Sequence, residues 1–114
     1  MAKYEIKDGV GIIPIPKVTE IVPYAFDGCT DLKSIIIPDS VTEIGDYAVE
    51  GCTGLTSITF LDSVNEIGDD AFKDCTNLKA INVPSGKTDY FKNLLPKSLH
   101  DKIVELPPVK KAKK

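Results

Sequence analysis

The chain has 114 residues, 42% of them apolar, with 14 lysines, no arginine and 17 acidic residues, for a net charge of −3 at pH 7. That length holds one domain with a slender core and excludes a second. Setting aside Lys110, Lys111, Lys113 and Lys114 leaves ten lysines against 17 acids, a body of charge −7 without guanidinium forks, so nucleic acid is a poor fit for the folded part.

At the amino terminus, Glu5 and Asp8 interrupt the place where a secretory signal needs a basic start and an apolar run. Val10 to Ile15 is broken by Pro14 and is far shorter than the roughly 20 residues of a membrane span. The expectation from this end is a chain without a signal peptide or membrane span, either cytoplasmic or a mature or trimmed form of something exported. Tyr4-Glu5-Ile6 alternates like a strand, and Gly9 to Pro16 reads as an incomplete repeat. Residues 1–17 are therefore assigned to an amino-terminal cap.

Next come Cys29, Cys52 and Cys75, twice 23 residues apart, each carrying a copy of one longer pattern. The segments PIPKVTEIVPYAFDGCTDL, IIIPDSVTEIGDYAVEGCTGL and ITFLDSVNEIGDDAFKDCTNL are three units, and a fixed period of this length predicts a solenoid over 18–84. Leu32, Ile35 and Ile37, then Leu55, Ile58 and Phe60, then Leu78, Ile81 and Val83 alternate as strands with one buried face, forming a short parallel sheet. Lys33, Ser34 and Ile36, Thr56, Ser57 and Thr59, and Lys79, Ala80 and Asn82 then point outward.

Pro38 or Leu61, followed by Asp-Ser at 39 and 40 and at 62 and 63, marks a change of direction. Val18 and Ile21, Val41 and Ile44, and Val64 and Ile67 line the opposite wall, followed by Gly45 and Gly68 where the first copy has Val22. Each unit then makes a short helical turn closed by a left-handed residue at Gly28, Gly51 or Asp74. Phe26 and Phe72 align with Val49, while Phe60 aligns with Ile37 and Val83; this exchange predicts that Phe60 fills the space left by Val49.

Beyond the repeats, Thr88 is placed to cap a helix with Tyr90, Phe91, Leu94 and Leu95. Ser98 is placed to cap a second one with Leu99, Ile103 and Val104 inward, and Pro96 separates the two. Residues 85–106 form the expected helical carboxy-terminal cap, and 107–114, PPVKKAKK, an expected disordered tail.

The register IPDSVTEIGDYAVEGCTGLTSI resembles the BspA-like leucine-rich-repeat family, abundant in bacteria and some protists, over about residues 12 to 84. The fold class implied is a leucine-rich-repeat solenoid (α+β) of about three coils. The resemblance also implies right-handed coiling and a cell-surface or extracellular role in protein binding or adhesion, and localisation stays open between that and the cytoplasm. Departures from the family pattern are Val22, Val49, Leu61 and Asp74.

Chemistry has little support in the pattern. The thiols lack the close ligand pairs of structural zinc sites and read as buried packing. Glu20, Glu43 and Glu66, with Asp39, Asp62, Asp46, Asp69 and Asp70, read as a solvated charged edge without a calcium-type loop. His100 reads as a surface residue without a nucleophile partner. No phosphate loop or nucleophile elbow occurs, so no catalytic, metal or cofactor site is assigned and the chain reads as a non-enzyme.

What remains is the outer sheet face, with Lys33, Ser34, Ile36, Thr56, Ser57, Thr59, Lys79 and Asn82 as candidate partner-binding residues. Three or four strands make it under roughly 20 Å along the axis. The expected function is binding of a protein partner whose identity is unknown. A structural or self-associating role through the amino-terminal strand edge is the second reading. A lysine-tail-driven binder of acidic surfaces is the third.

Overall fold

A computed structural model describes residues 5–12, 18–61 and 63–107. Tyr4, Asp62 and most of the lysine-rich tail, on which parts of the sequence reading fall, lie outside the described residues.

The chain opens with a hairpin of β1 (Glu5–Lys7) and β2 (Val10–Ile12), paired antiparallel. Asp8 and Gly9 form its two-residue loop with φ of 53° and 82°. Two positive φ angles are what a type I′ turn demands, and Asp-Gly supplies them at low steric cost. Strands β4 (Ser34–Ile36), β6 (Ser57–Thr59) and β8 (Ala80–Val83) follow, one per coil. They pair in parallel in a 23-residue register, Ser34 beside Ser57 beside Ala80. The shorter β3 (Glu20–Ile21), β5 (Glu43–Ile44) and β7 (Glu66–Ile67) form a second parallel sheet of three strands. The solenoid's core lies between the two sheets. All nine residues of the Leu-x-x-Ile-x-apolar sets are at most 2% exposed, and Ile21, Val41, Ile44 and Val64 close the opposite wall.

The segment joining β5 to β6, and its equivalents, was expected to hold one left-handed residue per coil. It holds two. Gly28, Gly51 and Asp74 have φ of 69°, 74° and 62°, and Tyr24, Tyr47 and Asp70 have φ of 64°, 57° and 52°. Non-glycine residues seldom adopt this region. The alternation aims every second N–H at the following coil: Tyr24, Phe26 and Gly28 donate to the carbonyls of Asp46, Ala48 and Glu50 at 3.2, 2.7 and 2.7 Å. The Tyr24 and Tyr47 rings stack at 5.3 Å, 10° from parallel.

Side chains complete the ladder where the backbone leaves acceptors over. Cys52 and Cys75 donate their thiols to the carbonyls of Phe26 and Val49, each at 3.0 Å. Ser40 and Ser63 donate to Val18 and Val41 at 2.8 and 2.6 Å. Cys52 and Cys75 are thus small buried donors, each closing on the coil before it, whereas Cys29, expected to be buried like them, is half-buried and faces the Asp27 carbonyl of its own turn.

The carboxy-terminal cap differs from expectation. Helix α1 (Thr88–Leu94) forms, but Lys87 precedes it and no side chain caps it. Thr88 donates its hydroxyl to Glu105 Oε1 at 2.6 Å, and the Gly86 N–H donates to Oε2 at 3.1 Å. These two bonds hold the Glu105 carboxyl below the ordinary carboxylate value. The expected second helix is a 3-10 helix, Lys97–Lys102, without a side-chain cap from Ser98, and it gives way to β9 (Ile103–Glu105). β-Branched Ile103 and Val104 alternate half-buried and exposed as a strand does, and β9 pairs in parallel with β8. Val104 therefore points outward, 45% exposed.

Phe60 is fully buried, and its ring meets Phe91 of α1 at 4.9 Å and Phe72 edge-on at 6.2 Å. Tyr90 adds a hydrogen bond from its hydroxyl to the Val64 carbonyl at 2.7 Å. The aromatic residue peculiar to the middle coil thus joins the repeats to their cap.

Candidate interaction surface

The large sheet has six strands in the order β1-β2-β4-β6-β8-β9. Sequence reasoning expected three or four; the hairpin and β9 extend it at both ends, giving about 24 Å across five strand spacings. A sequence signal is present for the hairpin, in Asp8-Gly9, and none separates strand from helix at Ile103–Glu105.

The eight candidate residues share the outer side of this sheet. Ser34, Ser57 and Ala80 form one half-buried row, and Ile36, Thr59, Asn82 and Val104 form the next. Lys33, Thr56 and Lys79 stand exposed just before their strands. The two threonines and the amide are held: Thr56 Oγ1 donates to the Lys33 carbonyl at 3.1 Å, and Asn82 Nδ2 donates to Thr59 Oγ1 at 3.1 Å. Fixing these side chains removes rotamer freedom before any partner arrives. Ile36, 55% exposed, is the apolar centre of the face, and Ile12, 41% exposed, continues the register beside it. Ile12 and Val104 are face residues that sequence reasoning did not single out, since their strands were assigned to caps.

The acidic column forms as expected from the period. Glu20, Glu43 and Glu66 are consecutive partners across β3, β5 and β7. Glu66, then partial burial, then Glu20 and Asp46, raise the Glu43 pKa above its ordinary 4.5. A raised carboxyl pKa contributes stability when protonated, below that ordinary value, and loses it as pH rises through the folded value. Glu43→Gln should accordingly raise the melting temperature at pH 7, and the gain should vanish as pH falls below 4.5. Thermal melts at the two pH values check this.

The thiols offer little nucleophilicity. Burial pushes Cys52 up to about 12 and Cys75 to about 11. Half-buried Cys29 is also raised, by burial and then by Asp27 and Asp31. His100 is half-buried, with Nε2 at 3.0 Å from the Leu95 carbonyl inside the cap. Among the described residues no group of three or more His, Cys, Asp or Glu stands together to hold a metal ion. No helix among them is long and apolar enough to cross a membrane.

Comparison with known proteins agrees with this architecture. The profile of the BspA type leucine rich repeat region matches residues 10–107, in six copies. No curated protein sequence matches the chain. Among solved structures, the chain is similar to the leucine-rich-repeat protein of T. pallidum, with a TM-score of 0.58 and 28% identity, over 74% of this chain and 51% of that one. The chain spans about half the length of that protein.

Proposed function

This chain belongs to the BspA-type leucine-rich-repeat family, whose repeats are generally non-catalytic protein-interaction modules, and on that premise we propose that it binds a protein partner through the outer face of its six-stranded sheet. The observation that carries the reading is Ile36, 55% exposed in the middle of a flat face whose polar neighbours are tied to one another. An exposed apolar centre rimmed by Lys33, Lys79 and short hydroxyl residues has the composition of a small interface. Adhesion at a cell surface is the finer form of this proposal, and it rests on the family alone.

The test is affinity capture with a face variant carrying Lys33→Glu, Thr56→Glu, Thr59→Glu and Lys79→Glu. At least about tenfold weaker retention of the captured partner is expected. Retention of every partner by the folded variant would refute the face.

Self-association through the amino-terminal edge is the second reading, favoured by the position of β1 at the end of the sheet. Its three residues and exposed Lys7 make it a weak template. Sedimentation of a clean monomer at high concentration would remove it. The lysine-tail reading concerns residues outside those described.

A further inference from the structure

Among the described residues, the hydrogen-bond ladder between coil turns stops at the third turn. Tyr47, Val49 and Gly51 donate their N–H groups to Asp69, Ala71 and Lys73 at 3.0, 2.8 and 2.7 Å, repeating the ladder of the coil before. Their equivalents one period on are Asp70, Phe72 and Asp74. None of these three N–H groups has an acceptor among the described residues. The cap does not cover them. They line a cleft of ≈ 320 Å³ between the third turn and the segment Pro96 to Leu99. Exposure agrees: Ala48, Val49 and Cys52 are at 0%, while Ala71, Phe72 and Cys75 are at 3%, 5% and 8%.

We propose that this cleft binds an extended, basic peptide segment of a partner protein, which continues the ladder by offering carbonyls to Asp70, Phe72 and Asp74. The spacing selects the occupant. In the earlier coils such donors meet carbonyls at every second residue of the next turn, and an extended segment laid along the cleft offers carbonyls at the same interval. Ile67, Ala71, Pro96 and Leu99 give the cleft apolar walls for one side chain of that segment. Asp70 and Asp74, opposed by Lys73 alone, favour a lysine or arginine beside it. This site lies on the coil turns, apart from the sheet face proposed above, so the two succeed or fail separately.

The test is nuclear magnetic resonance on the full chain with a synthetic peptide, acetyl-Lys-Val-Leu-Ala-Lys-amide. In the free protein the amides of Asp70, Phe72 and Asp74 should exchange at least about a hundredfold faster than those of Tyr47, Val49 and Gly51. Adding the peptide should shift and protect those three amides in a saturable way. The effect should be lost with an analogue whose central carbonyls are reduced to methylenes. It should also be lost in Ser98→Trp, which fills the cleft from an exposed position while the amides of Tyr47 and Val49 stay protected. Slow exchange of the three amides in the free chain would overturn the proposal. So would shifts equal with the reduced analogue, shifts centred on the sheet face, or shifts that grow with protein concentration alone.

Discussion

Phe60→Ala should cost about 3–5 kcal/mol of unfolding free energy, the range for emptying a buried aromatic site. Folded domains are stable by only about 5–15 kcal/mol, so this is a large share of the total. The residue is fully buried, stacked on Phe91 at 4.9 Å and edge-on to Phe72 at 6.2 Å. Such ring pairs contribute about 0.5–1.5 kcal/mol beyond the area they bury. Truncation therefore opens a cavity where the second coil, the third coil and the cap meet. Urea titration measures the loss, and limited proteolysis should show cleavage between Thr88 and Glu105 increasing faster than cleavage within 18–60. A loss under about 1 kcal/mol would mean that the surroundings collapse into the site. The expected exchange with Val49 is read on the same scale. If Phe60 fills space that Val49 leaves, Val49→Phe should be costly alone and tolerated with Phe60→Val, and equal costs in both backgrounds would remove the idea.

Gly45→Ala should cost about 2–3 kcal/mol, although its φ is not among the positive ones and alanine would normally stabilise such a position. The obstacle is the preceding coil. A Cβ on Gly45 would stand 2.6 Å from the Pro23 nitrogen and 2.8 Å from the Ile21 carbonyl oxygen. Both are backbone atoms held by the inter-coil ladder, including the bond from Gly45 N–H to Ile21 at 2.7 Å. They cannot swing away as a side chain would, so the coils must separate or the turn must shift. Gly86→Ala is the control: nothing lies within 4 Å of its Cβ, and φ of 78° supplies only the left-handed penalty of about 1–2 kcal/mol. Urea titration of the two variants separates contact from conformation. Equal losses would remove coil spacing as the reason for Gly45. The same reasoning accounts for Val22 at this position in the first copy, where the residue is 44% exposed.

Much of this molecule could be read from its residues because a repeat makes long-range structure local. Once Leu32, Leu55 and Leu78 are seen to recur with their following isoleucines, each coil tells where its neighbour's core residues must lie, and all of them are buried. Gly28, Gly51 and Asp74 announced the left-handed close of each turn for the same reason. Tyr24 and Tyr47 did not announce theirs, because tyrosine carries no preference for positive φ. The inter-coil hydrogen bonds and the stacked rings impose it, and Asp70 in the third copy was the one residue hinting at it. The candidate face was legible in its central strands and mistaken in extent. Ile103 and Val104 suit a helix face or a strand equally, and the unpaired edge of β8 decides between them.

The 23-residue period by itself determined the solenoid, its core positions, the register of its parallel strands and the columns of cysteine and glutamate. Those are properties of one unit repeated, and side-chain pattern encodes a unit. Only the tertiary structure decided what happens at the ends: a hairpin and β9 widening the sheet, Phe60 bridging to Phe91, Glu105 holding Thr88 and Gly86, and three N–H groups facing a cleft. An end has no next copy from which its partner can be inferred. Its hydrogen bonds are settled by which segment packs there, a competition among distant parts of the chain that no local pattern records.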